Sequence, residues 1–286
     1  PCQGEEDDVI SQLTGAFVRA ILVMVLIATP SLMLPGVPHD TTQIVALVAL
    51  FAAALTFFEY ASTYPGLVEF RDAPPFNRLR FLSLFATVLL LSAIVRGQTE
   101  PTTLTTFIEV LGNRLGGSID VPYSPVRLVV LMLPEDMSLD HLILVRTSAG
   151  ISYAISLLTL VFFIVSMRFI GWPDRMGSFN VWINLPTFDP TTGGDVVERL
   201  NRDARFNIAL GFLLPFMVPA AVKLTSLAFE PVTLESPQTL IWTMTAWAFL
   251  PASLFMRGIA MGRIAQMIAE KRRRNNLSAE ADLLPA

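Results

Sequence analysis

Long apolar runs, separated by short polar stretches, dominate the chain from one end to the other. Six of the runs are long enough to be considered as membrane spans, at residues 14–35, 42–62, 80–96, 149–170, 206–228 and 238–261. About 20 apolar residues in helical conformation cross the hydrocarbon core of a bilayer. The pattern therefore predicts an all-α, polytopic integral membrane protein with about six transmembrane helices.

The third run is the shortest. Only fifteen uncharged residues separate Arg80 from Arg96, and a helix of that length spans about 22 Å of a core about 30 Å thick. We therefore expect either that both arginine side chains extend outward to the headgroups or that the bilayer thins at this helix.

Composition agrees with a membrane protein, since 53% of the residues are hydrophobic and 15% are charged. Soluble domains carry about 25% charged residues. The single cysteine, Cys2, excludes an internal disulfide and a cysteine metal cluster. The two histidines, His39 and His141, both fall on the predicted outer side, so a haem inside the bundle would lack a histidine ligand. We expect no cofactor and no bound metal.

The arginines and lysines set the predicted orientation. The segments assigned to one side of the membrane hold fourteen of these residues, and those assigned to the other side hold five. Cytoplasmic segments are the ones enriched in arginine and lysine. The sequence therefore predicts that both termini lie in the cytoplasm, in the cytoplasmic (inner) membrane of a bacterium.

This orientation divides the chain into three parts. Residues 1–96 hold the first three helices and an inner loop at 63–79, and residues 97–147 form an outer, periplasmic segment. Residues 148–286 hold the last three helices, a second inner loop at 171–205 and a basic cytoplasmic tail.

The outer segment contains an amphipathic stretch, "TTLTTFIEVLGNRLGG", and an apolar one, "VRLVVLMLP". These stretches predict either a helix with one or two short strands or a helix lying on the membrane surface. In the second inner loop, Asp195 is a predicted helix N-cap, with Glu198 three residues later as in a capping box.

A short similarity connects the two inner loops. Residues 71–85, "RDAPPFNRLRFLSLF", match residues 202–216, "RDARFNIALGFLLPF", at seven of fifteen positions. The match indicates either a duplicated two-span unit or two independent anchors at the membrane interface. Aromatic and arginine side chains are common in protein interfaces. The candidate partner contacts in and near these loops are Arg71, Asp72, Phe76, Trp182, Phe188, Arg202 and Asp203.

Two charged residues at the ends of spans are candidates for binding a substrate or an ion. Glu59 lies near the inner end of the second span, and Lys223 follows Pro215 and Pro219 late in the fifth span. Charged residues within a span are functional candidates by default, and prolines free backbone carbonyls. The alternatives are that Glu59 reaches the headgroups and that Lys223 extends to the outer surface.

The tail carries four adjacent basic residues just after the last span, which favour contact with anionic lipid at the inner face. They are Lys271, Arg272, Arg273 and Arg274. One such cluster is too small to predict binding of nucleic acid.

The sequence contains no P-loop, HExxH or GxSxG pattern and no charged residue at the centre of a span. We therefore expect a non-catalytic membrane subunit, scaffold or assembly factor of a larger membrane complex, with other membrane protein subunits as partners. The alternative is a small carrier or channel for an apolar or weakly polar substrate, which would use proline-broken fifth and sixth helices. A membrane enzyme ranks third.

Overall fold

A computed structural model describes residues 2–64, 66–71, 74–170, 184–189, 191, 193–226, 228 and 232–282. These residues form eight helices and no strand. The helices are α1 (Cys2–Met33), α2 (His39–Ala61), α3 (Pro74–Gly97), α4 (Thr103–Ile119), α5 (Pro125–Met132), α6 (Leu139–Ile170), α7 (Val196–Thr225) and α8 (Pro237–Asp282).

Six of these helices, α1, α2, α3, α6, α7 and α8, are long and apolar enough to cross a membrane. This confirms the predicted polytopic helical membrane protein. Six crossings would agree with the prediction that both ends of this chain lie on one side of the membrane, and the inner and outer sides named below are those that the sequence predicts.

Several helices extend well beyond the apolar runs that predicted them. Helix α7 begins at Val196, ten residues before its apolar run, and α8 continues to Asp282. The N-cap prediction is confirmed, because the Asp195 carboxylate accepts hydrogen bonds from the backbone N–H groups of Val197 and Glu198. Caps and polar helix-forming residues therefore determine where these helices begin and end, whereas the membrane determines only the length of their apolar part.

Helices α3, α6 and α8 pack against one another at the centre of the bundle, and α7 lies along α8. Helix α1 joins the bundle through α3, whereas α2 contacts only α1 among the described helices. Buried side chains form two clusters. The outer cluster includes Leu91, Ile94, Val129, Met244 and Trp247, and the inner cluster includes Phe70, Phe163, Leu185, Leu200 and Met261.

The outer segment contains helices and turns but no strand, so the alternative with one or two short strands is wrong. The apolar stretch that starts at Val126 lies in α5, which begins with Pro125 directly after an N-cap, Ser124, whose hydroxyl accepts a hydrogen bond from the Arg127 N–H. Proline suits the first turn of a helix because its missing N–H has no partner there anyway. Helix α5 is therefore favoured by its start signals although three of its eight residues are valines.

Helices α7 and α8 are continuous through their prolines, so the prediction of proline-broken helices is wrong. Pro219 has no N–H to donate to the carbonyl of Pro215, four residues earlier. The Trp247 indole Nε1–H of α8 donates to that carbonyl instead, at 3.1 Å. A neighbouring helix thus satisfies the acceptor that the proline leaves open.

Candidate functional site at the inner face

An ion pair connects the first inner loop to the last helix. Arg257 of α8 donates to both carboxylate oxygens of Glu69, with Nε–Oε2 at 2.6 Å and Nη2–Oε1 at 2.8 Å. The Thr187 hydroxyl, from the second inner loop, donates to Glu69 Oε1 at 2.7 Å. Burial raises the pKa of Glu69, but the hydrogen bonds from Arg257 and Thr187 outweigh it and hold that pKa below its usual value. Glu69 therefore joins three segments as an anion.

The first inner loop is itself ordered by Glu59. Its carboxylate accepts hydrogen bonds from the backbone N–H groups of Gly66, Leu67 and Val68, the shortest at 2.9 Å. Arg71 closes the same loop by donating to the Ser62 carbonyl at 2.6 Å. Both candidate residues thus have a structural role in the loop that presents Glu69.

Two of the candidate interface aromatics lie inside the protein. Phe76 is 2% exposed and Phe188 is 5% exposed, and both belong to the inner cluster. The Phe70 N–H donates to the Asn184 carbonyl at 2.7 Å, which joins the two inner loops directly. These aromatics therefore hold the inner loops together. Asp72 and Trp182, two other candidates, lie outside the described residues.

Arg202 and Asp203 are on the surface of the second turn of α7, with the Arg202 side chain 77% exposed. Near them, Glu198, Asn201, Arg202 and Arg205 line an open groove of about 300 Å³. Arg71, in contrast, lies in a turn before α3. The two copies therefore differ at their first residue, whereas residues 74–85 of the first copy and residues 202–216 of the second are both helical. The choice between a duplicated unit and two independent anchors stays open.

Glu59 and Lys223 are far apart in the bundle. Glu59 lies at the inner end of α2, and Lys223 is exposed in the last turn of α7, at its outer end. Helices α2 and α7 make no contact within the described residues. The structure therefore does not bring these two candidates into one site.

The basic tail continues α8 beyond its apolar run. That run ends at residue 261, and Lys271 follows ten residues later, about 15 Å along the helix axis. Arg272 donates to the Asp195 carboxylate at 2.7 Å, and this hydrogen bond lowers the pKa of Asp195. Charges interact over about 8 Å at physiological salt. Contact of the tail with anionic lipid stays a prediction.

The outer face has its own polar pocket. His141, Asp136 and Glu235 help to line about 380 Å³ between the start of α6 and the segment before α8. The His141 ring Nε2 lies 2.9 Å from the Thr233 carbonyl and joins the two segments. Within the described part of the chain, no group of three histidine, cysteine, aspartate or glutamate side chains is arranged to hold a metal ion.

Glu69, Thr187, Arg257 and Arg80 are the site residues that the sequence analysis missed. Glu69 and Arg257 are opposite charges at the inner boundary of the membrane, which is a usable signal. However, the inner segments contain several acids and many arginines, and pairing them requires the fold.

No family model, no curated protein and no solved structure matches the chain. The functional argument therefore depends on the geometry of the chain itself.

Proposed function

We propose that this chain is a non-catalytic membrane subunit or scaffold that docks a partner protein on its inner, arginine-rich face. The observation that carries the proposal is the extension of α8 beyond the membrane. After Arg257 the helix continues to Asp282, a further 25 residues or about 38 Å. The first half of this stretch is mostly apolar and packs against α7, whereas the second half, from Glu270, is mostly polar or charged. The polar half offers a hydrated surface to another protein.

The near part of the extension is rigid. A Cβ atom on Gly258 would lie 2.7 Å from the Ala204 carbonyl, so α7 and α8 approach closely here. Small residues permit such close helix contacts. Ile264 and Ala265 of α8 are fully buried in the inner cluster. A preorganised surface loses little conformational entropy when a partner binds.

The exposed face of this two-helix projection is rich in positive charge. Arg202 and Arg205 are exposed on it, and the four basic residues of the tail follow. Asp203, Asp195 and Glu270 pair with Arg202, Arg272 and Arg274, so Arg205, Lys271 and Arg273 supply the excess. Charge complementarity between surfaces steers association and suppresses wrong partners. We therefore propose an acidic protein surface as the partner, in the inner membrane of a bacterium with this face toward the cytoplasm.

The carrier alternative has less support from the geometry. The carbonyl of Pro215 has a donor in Trp247, and the Glu59 carboxylate has three backbone donors. A carrier site would need such groups to be available to a substrate.

Native mass spectrometry of the chain, extracted from its own membranes in mild detergent, tests the proposal. We expect an assembly of fixed stoichiometry that the double substitution Arg202→Glu with Arg205→Glu dissociates. The control is Arg114→Glu on the exposed outer face of α4. Detection of the chain alone, or only in assemblies with copies of itself, would overturn the proposal.

A further inference from the structure

Arg80 lies at the inner end of α3 with its charge uncompensated by direct contact. Its Nε atom is buried and has no partner, and the side chain makes no hydrogen bond or ion pair to any described residue. Its guanidinium group lies over the rings of Phe76 and Phe249, 5.3 and 5.9 Å from their centroids. The Nε–H is one of the five N–H donors of an arginine, and burying it without an acceptor is costly. The arrangement indicates an acceptor from outside the chain.

A second arginine lies near Arg80. Arg19 and Arg80 are both close enough to Tyr60 to act electrostatically on its hydroxyl. Arg19 reaches this place from α1, with its guanidinium 4.6 Å from the centroid of the Tyr60 ring.

The two nearby carboxylates are already engaged. Glu59 binds three backbone N–H groups of its loop, and Glu69 binds Arg257 through two hydrogen bonds. Neither makes a hydrogen bond to the Arg80 guanidinium, and among the described residues Glu69 is the only carboxylate that acts electrostatically on it. An anionic ligand would supply both the charge and the acceptors.

The place also borders the hydrocarbon of the inner leaflet. Leu22 lies three residues after Arg19, on the same face of α1, and is 43% exposed. Exposed apolar side chains also lie at the same level of the other two helices, with Phe58 68% exposed on α2 and Leu82 58% exposed on α3. Apolar side chains exposed on spanning helices lie against acyl chains. Arginines near the headgroup level and apolar side chains beside them match the two parts of a phospholipid.

We propose that Arg80 and Arg19 bind a phosphate-bearing anion at the inner ends of α1, α2 and α3, with Tyr60 between them. The planar guanidinium of Arg80 presents parallel N–H groups that suit two phosphate oxygens. A phospholipid headgroup and a soluble phosphate share this chemistry. The site differs from the basic tail, which lies beyond the apolar run of α8, and it is independent of any protein partner.

The first test compares lipid retention. The full chain in nanodiscs of phosphatidylcholine with phosphatidylglycerol is released into the gas phase, and the retained lipids are counted by native mass spectrometry. We expect preferential retention of phosphatidylglycerol, reduced about tenfold by Arg80→Gln, as for loss of a charge-assisted hydrogen bond. Arg78→Gln, an exposed arginine of the same helix, is the matched control. Equal retention in all three proteins would overturn the site.

A second test identifies the source of the phosphate. Inorganic phosphate alone is added to the delipidated chain in a neutral detergent, and the midpoint of thermal unfolding is measured. A rise that needs Arg80 and equals the rise with phosphatidylglycerol assigns the site to a soluble anion. A rise with phosphatidylglycerol only assigns it to a lipid.

Arg80→Met is a second variant that should still fold, because it replaces the charged side chain by an apolar one of similar length. Without ligand, we expect Arg80→Met to unfold at the same temperature as the unmodified chain or at a higher one, because an unpaired charge has been removed. With phosphatidylglycerol, the unmodified chain gains stability and Arg80→Met gains none. An equal gain in both would contradict the proposal.

Discussion

The outer and inner halves of the bundle are held together by different kinds of contact. In the outer half, α4 crosses α6 where Gly116 and Gly150 meet backbone to backbone. In the inner half, two loops are joined to α8 by Glu69, Arg257 and Thr187. The outer half therefore has close backbone packing at this crossing, whereas the inner half adds directional polar bonds between its loops and α8 to an apolar cluster. A surface fixed by directional bonds can display charge in a defined geometry, which is what docking requires.

The largest effect is expected for Gly150→Val. A Cβ atom on Gly150 would clash with the Cα atom of Gly116, and neither backbone can move without separating α4 from α6. Overpacking of this kind costs about 1–3 kcal/mol and sometimes more. The midpoint of thermal unfolding in detergent measures it. Gly117→Val is the control, because nothing lies within 4 Å of a Cβ atom there, and an equal loss in both variants would contradict the account.

The substitution Glu69→Gln should cause the second largest loss of stability. It leaves Arg257 in a partly buried place, with its side chain 26% exposed, without the opposite charge. Breaking a buried ion pair costs 3–5 kcal/mol, and we expect about 2 kcal/mol after allowing for the remaining exposure. Glu100→Gln removes the exposed pair with Arg96 and should cost at most about 1 kcal/mol. Denaturation of both variants in detergent distinguishes them, and an equal cost would contradict the buried role of Glu69.

The Glu69 pair also predicts a pH dependence. Because the pKa of Glu69 is lowered in the folded protein, the pair contributes its full stability above the usual value of 4.5. That contribution is lost as the pH falls from 4.5 through the lowered pKa. Unfolding midpoints measured from pH 7 to pH 3 should therefore fall less steeply for Glu69→Gln than for the unmodified chain. Identical slopes would show that Glu69 is not held as an anion.

Trp247→Phe should cost about 1 kcal/mol, because it removes one neutral hydrogen bond and leaves the Pro215 carbonyl without its donor. Pro219→Ala returns a backbone N–H to that carbonyl. In a double-mutant cycle followed by thermal unfolding, Pro219→Ala should therefore stabilise the Trp247→Phe background more than the unmodified one. Additive effects of the two substitutions would exclude this explanation.

Asp195→Asn should have the smallest effect. Asparagine keeps the N-cap of α7 but loses the charge that pairs with Arg272. The midpoint of unfolding should stay nearly constant, while hydrogen exchange should become faster in α8 beyond Arg272. Unchanged exchange there would show that the pair does not fix the extension.

The six spans could be predicted because a bilayer imposes a long apolar run on each spanning helix. The extension of α8 beyond its apolar run could not be predicted from hydropathy, since a polar helix and a polar loop have the same mean hydropathy. Asp195 was recognised because an N-cap is a local signal. The Arg257 contact with Glu69 was missed because it joins residues 188 positions apart.

Phe76 and Phe188 show a second limit. Aromatic residues in polar loops were interpreted as exposed, since hydropathy places the loops outside the bilayer. The structure packs both against Phe163, Leu200 and their neighbours, because the inner loops have an apolar cluster of their own. Whether a loop side chain is buried or exposed depends on tertiary contacts, and the sequence of a short aperiodic stretch does not specify those contacts.

The central claim is that the inner face docks a partner and the outer face does not. The most direct test places a photoreactive amino acid at Arg202 or, in a second protein, at Arg114, both exposed arginines. Each protein is irradiated in its native membrane, and the covalent products are separated by mass. We predict one discrete protein adduct of constant mass from position 202 and none from position 114. An adduct from position 114 alone, or none from either, would contradict the account.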